Sequence, residues 1–202
     1  RVVVWSPNSP EWVLMEYACA LSGLVLVTAN PAFQARELAY VLEQSGAVAL
    51  FLVDAFRGNP MARIGAEVAA GIAAIREVTD MESDALFARG SRPPTLPDIA
   101  PGDAAMIQYT SGTTGFPKGA VLSHRGLVNN ARFYASRCGV TAATTWVNIM
   151  PMFHTSGCGM VTLGCLQAGC RMVLISLFDA DVVLDQLEAN GADIILGVPT
   201  MV

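Results

Sequence analysis

Hydrophobic and polar positions along the chain alternate between short apolar runs and longer segments with helical spacing. Runs of apolar or β-branched residues predict strands, and they occupy residues 2–5, 24–28, 48–53, 104–109, 120–122, 145–150, 172–175 and 193–197. Helical spacing predicts helices at residues 10–21, 34–45 and 181–190, after Ser123, and through the series Ile64, Val68, Ile72 and Ile75. Strands that alternate with helices in this way predict an α/β fold, in which largely parallel sheets are covered by helices.

A segment rich in proline and glycine, residues 88–102, interrupts this alternation and cannot sustain a helix or a central strand. We therefore predict a first α/β portion at residues 1–87, a linker at 88–102 and a second α/β portion at 103–202. The first residue is not Met, and Pro199-Thr200 is typical of the start of a new element. We expect the chain to be a segment of a longer protein.

Composition and charge narrow the class of protein. Apolar residues make up 53% of the chain and charged residues 14%, so a buried core is expected and a disordered tail is excluded. The net charge is −5 and there is no basic run, which argues against nucleic acid as a partner. Residues 138–170 carry no Asp, Glu, Lys or Arg, but polar residues, Pro151 and several glycines interrupt them, so no transmembrane span is predicted.

The five cysteines stand at positions 19, 138, 158, 165 and 170, and no two of them form a CxxC pair. An odd number with this spacing predicts neither a disulfide framework nor a zinc site. Buried free thiols in a reducing compartment fit best, and Cys158 and Cys165 are expected to be inert. Because the chain also starts without a secretory signal, we expect a cytoplasmic protein.

One segment carries a specific chemical signal. Directly after an apolar strand comes Thr110-Ser111-Gly112-Thr113-Thr114-Gly115-Phe116-Pro117-Lys118-Gly119. Glycine lets the backbone approach an anion, so that successive N–H groups can point into one concavity. The hydroxyl groups add hydrogen-bond donors, and the lysine adds a positive charge. We predict a loop that binds polyphosphate through Thr110, Ser111, Gly112, Thr113, Thr114, Gly115 and Lys118.

The spacing within this loop differs from two common nucleotide-binding patterns. A Walker A loop has four residues between its glycines and Ser or Thr after its lysine, whereas Gly112 and Gly115 are separated by two residues and Gly119 follows Lys118. The loop is not GxGxxG either, so a dinucleotide fold is not indicated. An ordinary Gly/Thr surface turn is the alternative, but such a turn does not require a lysine at this position.

The string from Tyr109 to Gly119, continued by Ala120-Val-Leu-Ser-His-Arg125, resembles the signature loop of the adenylate-forming superfamily, which includes acyl-CoA synthetases, luciferases and peptide-synthetase adenylation domains. Two further stretches are similar to the same family. They are Asn30-Pro31-Ala32-Phe33, with residues 36–38 and 45–47, and Met150-Pro151-Met152-Phe153-His154-Thr155-Ser156-Gly157. Their combination is most similar to the fatty and medium-chain acyl-CoA ligases, over nearly the whole chain.

The resemblance implies part of the large N-terminal domain of such a ligase, and two half-reactions. A carboxylate, from a fatty acid in this branch, attacks the α-phosphate of ATP with Mg²⁺, which releases pyrophosphate and leaves an acyl-adenylate. The thiol of coenzyme A then displaces AMP. The loop at 110–119 would hold the β- and γ-phosphates, where negative charge grows on the leaving group. The implied setting is fatty acid and lipid metabolism.

His154 is the catalytic residue that the resemblance implies. Its position matches one beside the carboxylate and acyl pocket of the family, where an imidazole can hydrogen-bond a carboxylate oxygen or gate the channel. A core histidine satisfied by its neighbours is the alternative. His124, beside Ser123 at the start of a helix, is expected at the surface or in a helix cap.

Several parts that the family requires are expected outside this sequence. They are the segment for adenine and magnesium, the ribose-binding aspartate, the hinge, and the C-terminal domain with its catalytic lysine. We therefore predict no metal ligand within the chain and no activity of the segment alone. Two other functions stay open, namely adenylation for transfer to a carrier protein and a non-catalytic nucleotide-binding role. Acyl chain length, the thiol acceptor and a homo-oligomeric state also stay open.

Overall fold

A computed structural model describes residues 1–84, 86, 88, 95–110 and 117–201. The chain forms two compact units. The first consists of Arg1–Ser6 and Leu14–His124, and the second of Pro7–Val13 and Arg125–Val202. Helix α1 (Pro10–Ser22) contributes residues to both units, because the boundary falls between Val13 and Leu14.

The first unit contains a six-stranded sheet with the strand order β4-β3-β1-β2-β5-β6. The strands are β1 (Val2–Trp5), β2 (Leu26–Ala29), β3 (Ala49–Leu52), β4 (Glu77–Asp80), β5 (Ala104–Thr110) and β6 (Lys118–Ser123). Strands β1 to β5 pair in parallel, whereas β6 is antiparallel to β5. Every residue of β1 and β2 is buried, as expected for the middle strands of a parallel sheet.

Two further helices, α2 (Ala35–Ser45) and α3 (Met61–Ala70), belong to the first unit. Helix α2 begins where the Glu37 carboxylate accepts a hydrogen bond from the Gln34 N–H at 2.8 Å, and it ends at Gly46, which is left-handed with φ 64°. The predicted extension of α3 to Ile72 and Ile75 is wrong. The helix ends at Ala70, and the Ile75 N–H instead closes a turn onto the Ile72 carbonyl at 3.0 Å.

The boundary between the two units differs from the division predicted at residues 88–102. Strands β5 and β6 follow the Pro/Gly-rich segment, yet they extend the first sheet, because Leu26 and Val27 of β2 pair with Met106 and Ile107 of β5. The boundary therefore lies after His124. Composition marks where regular structure is interrupted, but strand pairing decides which unit a strand joins.

The second unit contains a three-stranded parallel sheet with the order β8-β7-β9. Its strands are β7 (Thr145–Asn148), β8 (Arg171–Leu174) and β9 (Ile194–Leu196), and its helices are α4 (His124–Arg137), a π-helix (Ser156–Thr162), α5 (Leu163–Ala168) and α6 (Ala180–Asn190). Trp146 of β7 is fully buried with Ala135, Val161 and Cys165. Both units confirm the predicted α/β class with largely parallel sheets.

Each helix in the described part of the chain is too short or too polar to cross a membrane. The five cysteines are free thiols, as predicted, but they are not all buried. Cys138 is exposed at the end of α4 and Cys170 is half-buried, whereas the other three cysteines are buried. The exposed thiol corrects the expectation that all five lie in the core.

Glu16 is a charged residue type in an apolar environment. It lies on α1, its side chain is buried, and neither carboxylate oxygen has a hydrogen-bond partner among the described residues. Burial raises the pKa of Glu16 well above its ordinary value, because an ionised carboxylate is poorly solvated there. The folded chain therefore holds Glu16 in its neutral form to a higher pH than the unfolded chain does.

We expect Glu16→Gln to increase the free energy of unfolding at pH 7, by on the order of 1–3 kcal/mol. The unfolded chain releases the Glu16 proton near the ordinary pKa of 4.5, whereas the folded chain releases it only at a higher pH. Stability therefore falls as the pH rises above that value, and the glutamine variant lacks this slope. Urea unfolding between pH 4 and 8 measures the difference. Glu43→Gln, at an exposed position of α2, is the control and should leave the slope unchanged. Equal slopes for Glu16→Gln and the parent chain would contradict the prediction.

Candidate active site

The predicted phosphate-binding loop connects two paired strands at an edge of the first sheet. Thr110, the last residue of β5, is the register partner of Lys118, the first residue of β6. Directly opposed residues of an antiparallel pair place their side chains on the same face. Thr110 and Lys118 are both exposed, so the two ends of the loop present a hydroxyl and an ammonium on one face of the sheet. Five other predicted residues, Ser111, Gly112, Thr113, Thr114 and Gly115, lie outside the described residues.

Helix α2 holds both ends of this loop. The Tyr40 hydroxyl donates a hydrogen bond to the Pro117 carbonyl at 3.0 Å, and the Tyr109 hydroxyl donates one to the Gln44 side chain. Tyr40 and Gln44 are four residues apart and so lie on the same face of the helix. The rings of Tyr40 and Tyr109 also meet edge to face, with centroids 6.3 Å apart. These contacts fix the backbone on either side of the loop.

The hydroxyl of Tyr109 remains a donor over the physiological pH range. Burial is the main cause that raises the pKa of Tyr109 to about 12, and the neighbouring Tyr40 adds to it. The hydrogen bond to Gln44 is therefore insensitive to pH near neutrality.

Gly119 is required by packing beneath Tyr109. A Cβ at this position would lie 3.0 Å from Ile107 Cγ2 and 3.3 Å from the Tyr109 ring. Both distances are short for a carbon contact, so a side chain here would require Ile107 or Tyr109 to shift by a few tenths of an ångström. The sequence pattern treats Gly119 as part of the anion-binding loop. The structure shows that this glycine allows the close approach of β6 to the tyrosine of β5.

His154 lies in the second unit, in an exposed turn just before the π-helix. The Ser156 N–H donates to His154 Nδ1 at 3.1 Å, and the Ser156 hydroxyl is 2.9 Å from the same nitrogen. A backbone N–H can only donate, so Nδ1 is the acceptor and the neutral ring carries its proton on Nε2. The structure thus presents His154 with a hydrogen-bond donor at Nε2. This arrangement differs from a core histidine, which would be buried.

The π-helix is positioned by a buried asparagine. Asn148, at the end of β7, donates from Nδ2 to the Gly157 carbonyl and to Thr162 Oγ1, each at 3.2 Å. Thr162 Oγ1 in turn donates to the Gly157 carbonyl at 2.9 Å. A π-helix leaves backbone groups outside the usual α-helical pattern and often occurs at functional sites. Here side-chain hydrogen bonds from one strand end and one helical turn stabilise it.

A second asparagine holds the residues that precede His154. Asn8 donates from Nδ2 to the Met150 and Ile175 carbonyls, at 3.0 Å each, and its Oδ1 accepts from the Met152 N–H at 2.7 Å. The Met150 N–H also donates to Asn148 Oδ1 at 3.1 Å. These four hydrogen bonds are all buried. The turn that carries His154 is therefore tied to the end of β7 and to the residue that follows β8.

Sequence reasoning missed five residues that position either the ends of the loop or the turn of His154. They are Tyr40 and Gln44 in the first unit, and Asn8, Asn148 and Ser156 in the second. Ser156 had a detectable signal, since it stands two residues after His154 within the motif. Asn148 had another, because an amide inside an apolar strand must find buried partners. His124 is the first residue of α4 and is half-buried, and its N–H donates to the Asp103 carbonyl at 3.1 Å.

The described residues contain no cluster of three or more His, Cys, Asp or Glu side chains that could hold a metal ion. We accordingly assign no Mg²⁺ ligand within them. The first unit carries Thr110 and Lys118, and the second carries His154.

Comparison with known proteins identifies the family. The profile of the AMP-binding enzymes matches residues 1–202, and the chain therefore belongs to this family. It is 32% identical to the human mitochondrial medium-chain acyl-CoA ligase ACSF2, over 100% of this chain and 38% of that protein. The chain spans 38–42% of the length of the first curated relatives that it matches.

Solved structures of acyl-activating enzymes share the fold. One is o-succinylbenzoate CoA synthetase (MenE) from Bacillus subtilis in complex with the acyl-adenylate OSB-AMP, with a TM-score of 0.82, 25% identity and coverage of 99% of this chain and 49% of that one. Another is the inhibitor-bound N-terminal domain of FACL13 from Mycobacterium tuberculosis, with a TM-score of 0.86, 25% identity and coverage of 100% and 50%. The α/β architecture is thus that of the N-terminal part of adenylate-forming enzymes.

Proposed function

We propose that the protein carrying this chain activates a carboxylic acid with ATP and transfers the acyl group to coenzyme A. In the first half-reaction a carboxylate oxygen attacks the α-phosphorus of ATP, so that a mixed anhydride forms and pyrophosphate leaves. In the second, the coenzyme A thiol attacks the acyl carbon and AMP leaves. One observation carries the proposal: in a chain that belongs to the AMP-binding enzymes, Thr110 and Lys118 stand exposed on one sheet face at the two ends of the Gly/Thr loop.

The loop is proposed to hold the β- and γ-phosphates. Backbone N–H groups and the hydroxyls of Thr110, Ser111, Thr113 and Thr114 would donate to phosphate oxygens, and Gly112 and Gly115 would allow the approach. The Lys118 ammonium would neutralise charge as it grows on pyrophosphate, which lowers the barrier to departure. Lys118 is the only lysine in the chain. Mg²⁺ bound with ATP would supply further charge neutralisation.

His154 is proposed to orient the carboxylate. Its Nε2–H is a donor because Ser156 occupies Nδ1, and a carboxylate oxygen is the matching acceptor. A hydrogen bond to one oxygen leaves the other free to attack the α-phosphorus. Because the donor is neutral, it orients the carboxylate without forming a tight ion pair that would reduce its nucleophilicity.

The substrate class that we propose is a fatty acid, and the thiol acceptor is coenzyme A. The human relative is named a medium-chain acyl-CoA ligase, and the MenE structure holds an acyl-adenylate. Neither name favours a carrier protein as the acceptor. We keep the cytoplasm as the proposed location because the five cysteines are free thiols, although the human relative is named mitochondrial.

The test is ATP–pyrophosphate exchange by the intact protein across a panel of carboxylic acids. Exchange that depends on an acid, followed by thioester formation that depends on coenzyme A, supports the full proposal. Exchange without any coenzyme A thioester would support adenylation of the acid but contradict coenzyme A as the acceptor. Nucleotide binding without exchange for any acid would favour a non-catalytic role.

We expect His154→Ala to lower kcat/KM for the acid by about 10- to 100-fold in this assay, the range for loss of one positioned hydrogen bond. The KM for ATP should stay unchanged, because the phosphate loop is intact. Ser156→Ala keeps the backbone N–H that fixes Nδ1, so it is expected to have a smaller effect. A rise in the KM for ATP with the acid parameters unchanged would contradict the role of His154.

A further inference from the structure

Two cysteines meet at the end of α5. The helix stops at Ala168, and Gly169 is left-handed, with φ 67° and ψ 28°. The Cys170 N–H donates to the Cys165 carbonyl at 3.1 Å, and the Gly169 N–H donates to the Leu166 carbonyl at 3.2 Å. This pair of bonds defines a Schellman motif, in which the side chains at the positions of Cys165 and Cys170 frequently pack together.

Both side chains pack in the hydrophobic cluster around Trp146. Cys165 is buried beside Trp146, while Cys170 packs on the same cluster and is half-buried. Cys165 is therefore held in the core, whereas Cys170 is partly exposed to solvent. The backbone hydrogen bond keeps the two residues adjacent even if the side chains rotate.

A disulfide requires Cα atoms ~4.4–6.8 Å apart and Cβ atoms that face each other. The direct backbone hydrogen bond and the packing in one cluster keep Cys165 and Cys170 adjacent in space, as a disulfide requires. We propose that Cys165 and Cys170 are a reversible disulfide site, which closes when the protein meets a small-molecule disulfide such as oxidised glutathione. This inference is independent of the proposed ligase function.

The exchange proceeds in two steps that balance. The thiolate of Cys170, the accessible sulfur, attacks one sulfur of oxidised glutathione, and one glutathione leaves as its thiolate and takes up a proton. Cys165 then loses its proton and attacks the Cys170 sulfur, and the second glutathione leaves. Two protein thiols are oxidised to one disulfide, and one oxidised glutathione is reduced to two molecules of glutathione.

Burial favours this order of attack. It raises the pKa of Cys165, and the contact with Cys170 raises it further, so Cys165 is a poor first nucleophile. Once the mixed disulfide has formed on Cys170, proximity of the two sulfurs drives the second step. Other thiols of the second unit have other contacts: Cys158 donates to the His154 carbonyl at 3.4 Å, and Cys138 interacts with Tyr134.

The sequence provides a clean readout. Cyanogen bromide cleaves after methionine, and Met160 and Met172 bound a fragment, residues 161–172, that contains Cys165 and Cys170 as its only cysteines. The intact protein is equilibrated with glutathione at increasing ratios of the oxidised to the reduced form, and exchange is quenched with acid. The protein is then alkylated in denaturant and cleaved, and the mass of the fragment is measured by mass spectrometry. We expect the fragment to carry two alkyl groups under reducing conditions. As the oxidised fraction rises, we expect a fragment with no alkyl group and a mass two hydrogen atoms below that of the dithiol form, which identifies the disulfide.

Single variants test the order of attack. Cys165→Ala should leave a stable glutathione adduct on Cys170, whereas Cys170→Ser should leave Cys165 free of glutathione. Cys138→Ser is the matched control and should behave as the parent protein does. The proposal is overturned if the parent fragment keeps both alkyl groups at every ratio, if it stops at one alkyl group and one glutathione, or if the Cys138→Ser change abolishes the loss.

Discussion

In the intact protein that carries this chain, Lys118→Ala is expected to reduce acid-dependent ATP–pyrophosphate exchange by about 10²–10³-fold, the range for loss of one group that stabilises developing charge. Lys118 begins β6 opposite Thr110, and its side chain is exposed at the end of the loop. It is also the only lysine in the chain, so no second ammonium of these 202 residues replaces it. Steady-state exchange at saturating acid and varied ATP measures the loss.

Two variants separate the role of charge from the fold. Lys118→Arg keeps the positive charge but replaces a compact ammonium by a planar guanidinium, so an intermediate rate is expected. Arg63→Ala removes an exposed cation on α3, which pairs with Glu67 at 3.0 Å, and should leave exchange unchanged. Because Lys118 is exposed, its variants should keep the melting temperature of the parent. Unchanged exchange in Lys118→Ala would remove the basis for the loop assignment.

Gly157→Ala is expected to be the most destabilising single-methyl addition that we propose, at about 3 kcal/mol or more. A Cβ on Gly157 would lie 2.4 Å from the Pro151 carbonyl oxygen and 2.6 Å from that of Met150. Both obstacles are backbone atoms of the segment that Asn8 holds, so they cannot rotate away. Denaturant unfolding followed by circular dichroism measures the loss.

Gly159→Ala in the same π-helix is the matched control. A Cβ there would meet its nearest atom, Leu127 Cδ2, at 3.6 Å, which is an ordinary contact. Its stability should stay within about 0.5 kcal/mol of the parent. If both variants lose stability equally, the cause is a general intolerance of the π-helix, and the steric argument for Gly157 fails. The turn that carries His154 should move in Gly157→Ala alone, because the Gly157 N–H donates to the His154 carbonyl at 3.0 Å.

Most elements were predictable because their signals are local. The buried strand β1, the end of α2 at Gly46 and the end of α6 at Gly191 follow from apolar runs and from glycines that adopt positive φ. Strand β4 was not predicted, since Glu77–Asp80 contains one apolar residue and is mostly exposed. Glu77–Asp80 is a strand only because it pairs with β3. Such an edge strand depends on a neighbour that its own sequence does not specify.

The candidate functional residues likewise combine features that the local sequence predicts with features that depend on distant contacts. The chemistry of Thr110 and Lys118 follows from residue type and spacing, and so does the choice of His154 by resemblance. The tautomer of His154 does not, because it depends on a hydrogen bond from Ser156 whose geometry is set by the turn. The contacts of Tyr40 with Pro117 and of Asn8 with Met150 join residues 77 and 142 positions apart. Local patterns carry no information at that separation.

The sequence by itself determined the α/β class, the order of most strands and helices along the chain, and a loop with the composition to bind phosphate. Only the tertiary structure decided that β5 and β6 join the first sheet and that α2 fixes both ends of the loop. The physical reason is that backbone propensity and hydrophobic periodicity act within a few residues. Sheet pairing and buried amide hydrogen bonds are instead settled when distant segments pack together and most buried polar groups find a partner.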